Sequence, residues 1–413
     1  MSDLIVELLA RRPPAVDDDP VRLRTLLELL NRPDRAVPAV WVGGGHGKSS
    51  VVTMVAAIFA ALDVTAGAAT TPHLQDMRER MRIAGEAISS DVLRETLLYL
   101  EPFLREVDLR HPTPLSFDEV MHVMAATWFA DAPVDVAVFE GTPNHAARND
   151  VEVHIEGSGT TVTSAGQSRM LGSDFGVGAR EVAVGGQRLT LRGATGVVTD
   201  VYLPLHGAHQ ADNAAVALAV VEAFLGYSGK LDVELLRRAF ASVRLPGRLE
   251  VVRRTDAASV LLDGARDATS AAALAAALSS EFTVRNRIGV AGLVGPASSS
   301  GAVGHGPASS SGAVPQSDAD PAGVIQALAG TLDHLVVALA PTPDAVAPDA
   351  VVTAAQRAGM AVELAETIPA ALEFASGVAT VEDAVVVFGG LQTVGAARRA
   401  LGLALADDLL RTK

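Results

Sequence analysis

The octet Gly43 to Ser50 reads GGGHGKSS. A short apolar run, Ala39 to Val42, leads into it, and a long apolar stretch, Ser49 to Leu62, follows. Buried strand, glycine loop and helix make one βα unit. A loop so placed turns its backbone N–H groups toward one point, and the helix N-terminus adds partial positive charge there. Glycines let the backbone approach an anion closely. The chemistry this suits is nucleotide phosphate binding. Gly45, His46 and Gly47 would form the cradle, Lys48 would reach terminal phosphates, and Ser49 or Ser50 would hold Mg²⁺. The common form of such a loop leaves four residues between its glycines, whereas Gly43 and Gly47 enclose three. The competing reading is a glycine-rich turn with an exposed lysine. Lys48 is the only lysine before Lys230, which leans against that.

Other residues sit where chemistry is done. Glu140 ends the apolar run VDVAVF, and Asp263 ends SVLLD. The carboxyl edge of a parallel sheet is where such folds place ligands, so Glu140 suits a metal, and Asp263 suits a ribose or simply terminates its strand. Arg248 follows Pro246-Gly247 as a linker cation. Asn213 stands at the head of NAAVALAVVEAFL and could be an N-cap. Pro72 and His73 lie in TPHL, where the histidine could brace a turn.

These residues need elements to position them. With 413 residues the chain exceeds one ordinary core. Helical spacing recurs in the N-terminal run, at Val21–Leu30, Asp91–Val107 and Phe117–Ala130, and strand texture at Val134–Phe139. Residues 151–203 are rich in Thr, Val, Ser and Gly with partial alternation, which predicts an antiparallel patch. From Ser259 apolar strands and helices alternate again (SVLLD, RIGVAGL, HLVVALA, AVEL, AVVVFGG), with the last helix expected from Val394. The expected division is therefore residues 1–245 and 246–413. GPASSSGAV occurs twice, from Gly295 and from Gly306, marking residues 295–320 as a flexible insert.

Composition narrows the partners. A net charge of −15 disfavours duplex DNA and anionic membranes, and no run reaches the roughly 18 apolar residues of a membrane span. The absence of cysteine removes disulfides, thiolate chemistry and cysteine zinc sites and is compatible with a reducing cytoplasm. The expected partners are small molecules.

The chain resembles the folylpolyglutamate synthase/dihydrofolate synthase family of the Mur ligase superfamily, whose loop has the shorter form. ATTPHLQDMRERMRIAGEAI (Ala69 to Ile88) is similar to the family's T-S-P-H-L and E-R-I stretch. LHGAHQADN (Leu205 to Asn213) is similar to its G-x-H-Q-x-x-N, LPGRLEV (Leu245 to Val251) to its P-G-R-L-E linker, and Val260 to Ala273 to its D-A-H-N-P segment. Phe388 to Arg398 is similar to its T-G-S…G-A-A-R end. The resemblance implies an α/β fold, a Mur-type P-loop ATPase domain followed by a Rossmann-like domain, with ATP and Mg²⁺ between them. It implies an ADP-forming amide ligase that joins glutamate to a pterin-linked carboxylate through an acyl phosphate. It implies that Glu140 binds metal, Asn213 contacts adenine, Asp263 touches the nucleoside, Arg248 reaches the ATP phosphates, and Pro72 and His73 face the folate-like substrate.

Departures from the family pattern cluster in the chemistry. The loop G-T-N-G-K has Gly45 and His46 in place of Thr and Asn. The D-A-H-N-P segment has Arg266 and Asp267 in place of His and Asn. A block between Asn149 and about Ser173 is short. In the family it carries a histidine ligand and a lysine for a second metal; here no lysine lies between Lys48 and Lys230, leaving His145 or His154 as substitutes. Two alternatives follow: an inactive or repurposed homologue that binds ligand or pairs with an active paralogue, and a ligase with a changed substrate.

Overall fold

The structure is a computed structural model that describes residues 2–11, 20–141, 152–155, 160–163, 175–226, 229–295 and 320–403. The interior of the low-complexity insert, His145 and most of the stretch from Asn149 to Ser173 lie outside them. Among the described residues no helix is long and apolar enough to cross a membrane.

Helices α1 (Ser2–Ala10) and α2 (Pro20–Leu29) precede the first βα unit, β1 (Ala39–Gly43) and α3 (Lys48–Ala61). The chain continues through β2 (Ala66–Ala69), β3 (Met81–Ile83) and β4 (Glu86–Ala87), then helices α4 (Ser90–Arg110) and α5 (Phe117–Asp131), to β5 (Val136–Glu140). With β6 (Glu152–Ile155) and β7 (Thr160–Thr163) these strands form a seven-stranded sheet, ordered β4-β3-β2-β5-β1-β6-β7. Its centre, β2-β5-β1, is parallel. Helices cover both faces, so the central strands need no polar alternation. Val40 and Val42 of β1 enter the core with α3 and α6, whereas Ala39 and Trp41 enter the core with α4 and α5. β2 reads AGAA and has no β-branched signal of its own. Its neighbours impose it: a Cβ on Gly67 would stand 2.7 Å from the Phe129 ring.

Within the region of expected antiparallel texture, β8 (Gly176–Ala183), β9 (Gly186–Gly193) and β10 (Gly196–Leu203) form a separate three-stranded antiparallel sheet. Helices α6 (Ala208–Phe224) and α7 (Val233–Ser242) follow. α6 begins at Ala208 behind Gly207, so Asn213 is an interior helical residue and not an N-cap.

The remaining chain builds a six-stranded sheet, ordered β11-β12-β16-β13-β14-β15. Its elements are β11 (Glu250–Val252), β12 (Ser259–Leu262), α8 (Ala268–Glu281), β13 (Arg287–Ala291), α9 (Pro321–Leu328), β14 (His334–Val337), α10 (Pro348–Arg357), β15 (Ala361–Leu364), α11 (Ile368–Val378), β16 (Ala384–Phe388) and α12 (Leu391–Ala400). All pairs are parallel except β11 with β12. The last helix starts at Leu391, a turn earlier than its apolar spacing suggests, because Gly390 caps it directly after β16. Alternate residues of β16 again feed two cores, Val386 and Phe388 on one face, Val385 and Val387 on the other.

Candidate nucleotide and ligase site

Parallel strands put their carboxyl ends on one edge, and that edge collects three sequence-distant segments. β1 runs into the glycine loop, β2 into Thr70–Pro72, and β5 ends at Glu140. Glu140 Oε2 accepts hydrogen bonds from the Ser49 hydroxyl (2.8 Å) and the Thr71 backbone N–H (3.0 Å). Lys48 folds back onto the loop, its Nζ donating to the Gly44 carbonyl at 2.7 Å. Gly47 caps α3 with φ +81°, a left-handed conformation that favours glycine. A Cβ there would also stand 2.5 Å from Asn213 Oδ1, so Asn213 rests against the loop itself.

The second wall comes from the linker and the C-terminal sheet. Asp263 accepts from the backbone N–H groups of Leu249 and Ala265, both at 2.8 Å, which ties the linker to the end of β12. Burial pushes its carboxyl up, against the opposing pull of Arg248 and these two bonds. Burial likewise pulls the Arg248 guanidinium below its ordinary range; Arg266 adds to this, and Asp263 and Glu140 oppose it. Among the described residues the Arg248 guanidinium has one long hydrogen bond, 3.5 Å to the Gly247 carbonyl. A half-buried cation so lightly engaged is available to an anion.

The walls enclose a cavity of about 440 Å³. Gly45 to Ser50, Pro72, Glu140, Asn213, Arg248 and Asp263 all line it, as do Arg266 and Asp267. A second, more apolar cavity of about 640 Å³ adjoins it. Ser49, Pro72, Arg248 and Leu391 line both. His73 lines neither. Its Nδ1 accepts from Arg80 Nε at 3.0 Å and its ring meets Phe117, the bracing role its sequence context allows. Burial, with help from Arg80, lowers its pKa to about 4.

Two features escape sequence reading. His209 and Gln210 join Asn213 in the cavity lining; His209 and Asn213 are four residues apart on α6, a one-face spacing the sequence does contain. The other is α8, which is tied at both ends to the first half of the chain. At its start Asp267 contacts His46 Nε2 (3.0 and 3.1 Å), so two departures from the family pattern meet each other. Burial opposes ionisation of Asp267, yet the bonds from His46 and the Ser270 N–H hold its carboxyl far below the usual range. At the other end Glu281, its side chain fully buried, pairs with Arg180, contacts His206 Nδ1 (3.0 Å) and accepts from the Gly207 N–H (2.9 Å). Leu74 makes a further tie, seated in the core with α11 and α12, beside Gln75, which accepts from Arg398.

Comparison with known proteins bears directly on this arrangement. Residues 247–391 match the family described as Mur ligase, glutamate ligase domain. The dihydrofolate synthase/folylpolyglutamate synthase of Mycobacterium tuberculosis is 34% identical over 362 residues, spanning 72% of this chain and 74% of that protein. The solved folylpolyglutamate synthase of M. tuberculosis complexed with ADP aligns with a TM-score of 0.80 at 30% identity, over 98% of this chain and 99% of the other. The folylpolyglutamate synthase of Thermotoga maritima shares the fold, with a TM-score of 0.74 at 22% identity over 97% and 96% of the two chains. The glycine loop that faces a linker arginine across a shared cavity thus has a lineage, and the chain belongs to the dihydrofolate synthase/folylpolyglutamate synthase family of Mur-type ligases.

Proposed function

We propose that the protein is an ATP-dependent, ADP-forming ligase that adds glutamate to a folate-like carboxylate, in a cytoplasmic setting. The observation that carries this reading is that Lys48, the Ser49–Glu140 pair and Arg248 line one cavity. The α3 N-terminus and Lys48 receive the phosphates, Asn213 and Asp263 face the nucleoside, and Arg248 meets the γ-phosphate. Glu140 and the Ser49 or Ser50 hydroxyl would hold Mg²⁺. One carboxylate, one hydroxyl and phosphate oxygens suit that ion, which keeps several waters. When bound, Mg²⁺ neutralises phosphate charge. Among the described residues no cluster of three or more His, Cys, Asp or Glu is poised for another metal, and no step here uses one.

The adjoining cavity suits the acceptor. Thr53, Ala56, Ala57 and Ala60 of α3 give it a small-residue wall for a flat ring. Pro72 and Ser49, shared by both cavities, mark where the acceptor carboxylate meets the γ-phosphate, while His73 steadies the Pro72 loop from behind. The carboxylate oxygen attacks phosphorus and ADP leaves. The glutamate amine then attacks the acyl carbon, phosphate leaves and an amide forms. Lys48 and Arg248 stabilise the negative charge in a site walled by both halves of the chain. Complementary change at His46 and Asp267 favours a maintained site over the inactive or paralogue-bound alternative, for which the comparisons offer no support.

The test is calorimetric ATP binding with Mg²⁺ for the native protein and Lys48→Ala, then ADP release with and without glutamate and dihydropteroate. Binding abolished by Lys48→Ala, with ADP formed only when both substrates are present, is expected. ATP binding without turnover of these substrates would overturn the assignment.

A further inference from the structure

A third cavity, about 1210 Å³, lies along the linker between the three-stranded and six-stranded sheets. Arg244, Arg248, Arg253 and Arg254 line it. None of these four forms an ion pair with a described residue. Arg244 donates only to the carbonyls of Ala241 and Val243, and Arg254 to the Ala258 carbonyl and the Ser376 hydroxyl. Arg254 Nη2 is buried and has no partner among the described residues. Both carboxylates of the groove are already engaged. Glu250 pairs with Arg398 and accepts from the Gly247 N–H, and Glu281 is held by Arg180 and His206. The groove therefore carries uncompensated positive charge on a chain whose net charge is −15.

Its position matters as much as its charge. Arg248 lines this groove and both other cavities, and Arg244, Leu245 and Pro246 line both this groove and the acceptor cavity. The arginines thus mark a path from the reacting centre outward. From Arg248 to Arg253 the chain passes along β11, a span of up to roughly 17 Å at ~3.3 Å per residue. That is too long for one carboxylate and suits a chain bearing several.

We infer that this groove is a track for an oligo-γ-glutamyl tail, whose successive α-carboxylates are met by Arg244, Arg253 and Arg254. The inference rests on the proposed ligase activity, because each round of it lengthens an anionic tail that must leave the centre without blocking it. Arg253 is exposed, so it can be changed without opening a core.

The experiment uses the full chain and its Arg253→Gln variant, because Arg253 lines this groove and neither of the other two cavities. KM is measured for acceptors bearing one and four glutamates, for free glutamate and for ATP. Binding of a γ-linked tetraglutamate is measured by calorimetry at low and high salt, which requires no turnover. The expected result is a KM for the four-glutamate acceptor raised roughly threefold, as for loss of one partly screened charge contact, with the other three constants unchanged and tetraglutamate binding weakened by salt and by the substitution. A rise confined to free glutamate would make the groove the entry for the incoming amino acid and overturn the tail assignment. Equal effects on both acceptors, or no tetraglutamate binding to the native protein, would also overturn it. Tetraglutamate binding weakened in the variant, with no acceptor turned over by either protein, would uphold the groove's ligand and count against the ligase reading alone.

Discussion

Glu281 offers the sharpest test of how the two halves of the site are held together. Its fully buried carboxylate is bonded by Arg180, by His206 and by the Gly207 backbone N–H. Glu281→Ala removes the acceptor from all three. Breaking a buried pair by deleting one partner costs about 3–5 kcal/mol. Arg180 keeps 22% of its side-chain exposure and can be rehydrated, so the lower end, about 3 kcal/mol, is expected. The tie at the opposite end of α8, His46 with Asp267, is about half exposed and contributes only ~0.2–1 kcal/mol. α8 thus loses most of its polar attachment to the first half of the chain. Ala273, Leu274 and Ala277 of that helix line the nucleotide cavity, so ATP affinity should fall by roughly tenfold, about 1.4 kcal/mol. Glu281→Gln retains the volume and an acceptor for Gly207 and should fall between. Urea unfolding followed by fluorescence and ATP titration by calorimetry read the two effects. A Glu281→Ala protein that loses less than about 1 kcal/mol and binds ATP as the native chain does would refute the reasoning.

Other expectations follow from single features. Gly47→Ala places a Cβ against Asn213 at a left-handed position, and should cost about 1–3 kcal/mol and abolish ATP binding, measured by thermal shift and calorimetry. His46→Asn with Asp267→Asn tests their contact by a double-mutant cycle on ATP affinity, where a coupling of ~0.2–1 kcal/mol is expected and strict additivity would discount the latch. His122, between Trp41 and Phe139, is lowered by burial to about 4, as is His73 by burial and Arg80. Both stay neutral in the fold, whereas the unfolded chain takes up protons below pH ~6.5. Stability from these groups is therefore complete above that pH and is lost as pH falls toward 4, by up to roughly 3 kcal/mol each. His122→Phe should flatten urea midpoints measured between pH 7 and 4.5, and an unchanged slope would remove His122 from the account.

Much of this protein is written locally. Two-sided apolar strands, the glycine loop and strand-ending acids follow from period and side-chain chemistry, so Lys48, Glu140 and Asp263 could be nominated from the chain alone. β2 could not. AGAA carries no strand preference and becomes a strand because β5 and β3 pair with it and Phe129 needs the space above Gly67. Asn213 was legible as a residue and illegible as a position, since Gly207 starts the helix earlier than the apolar run does. The pairing of His46 with Asp267 spans 221 residues of sequence, and no periodicity encodes it. The same holds for Glu281 against Gly207 and for Leu74 in the second core. The sequence by itself determined the elements and the reactive residue types, because those depend on neighbours a few positions away. Only the tertiary structure decided which of them share a cavity, because that depends on how the ends of separate sheets are brought together and held.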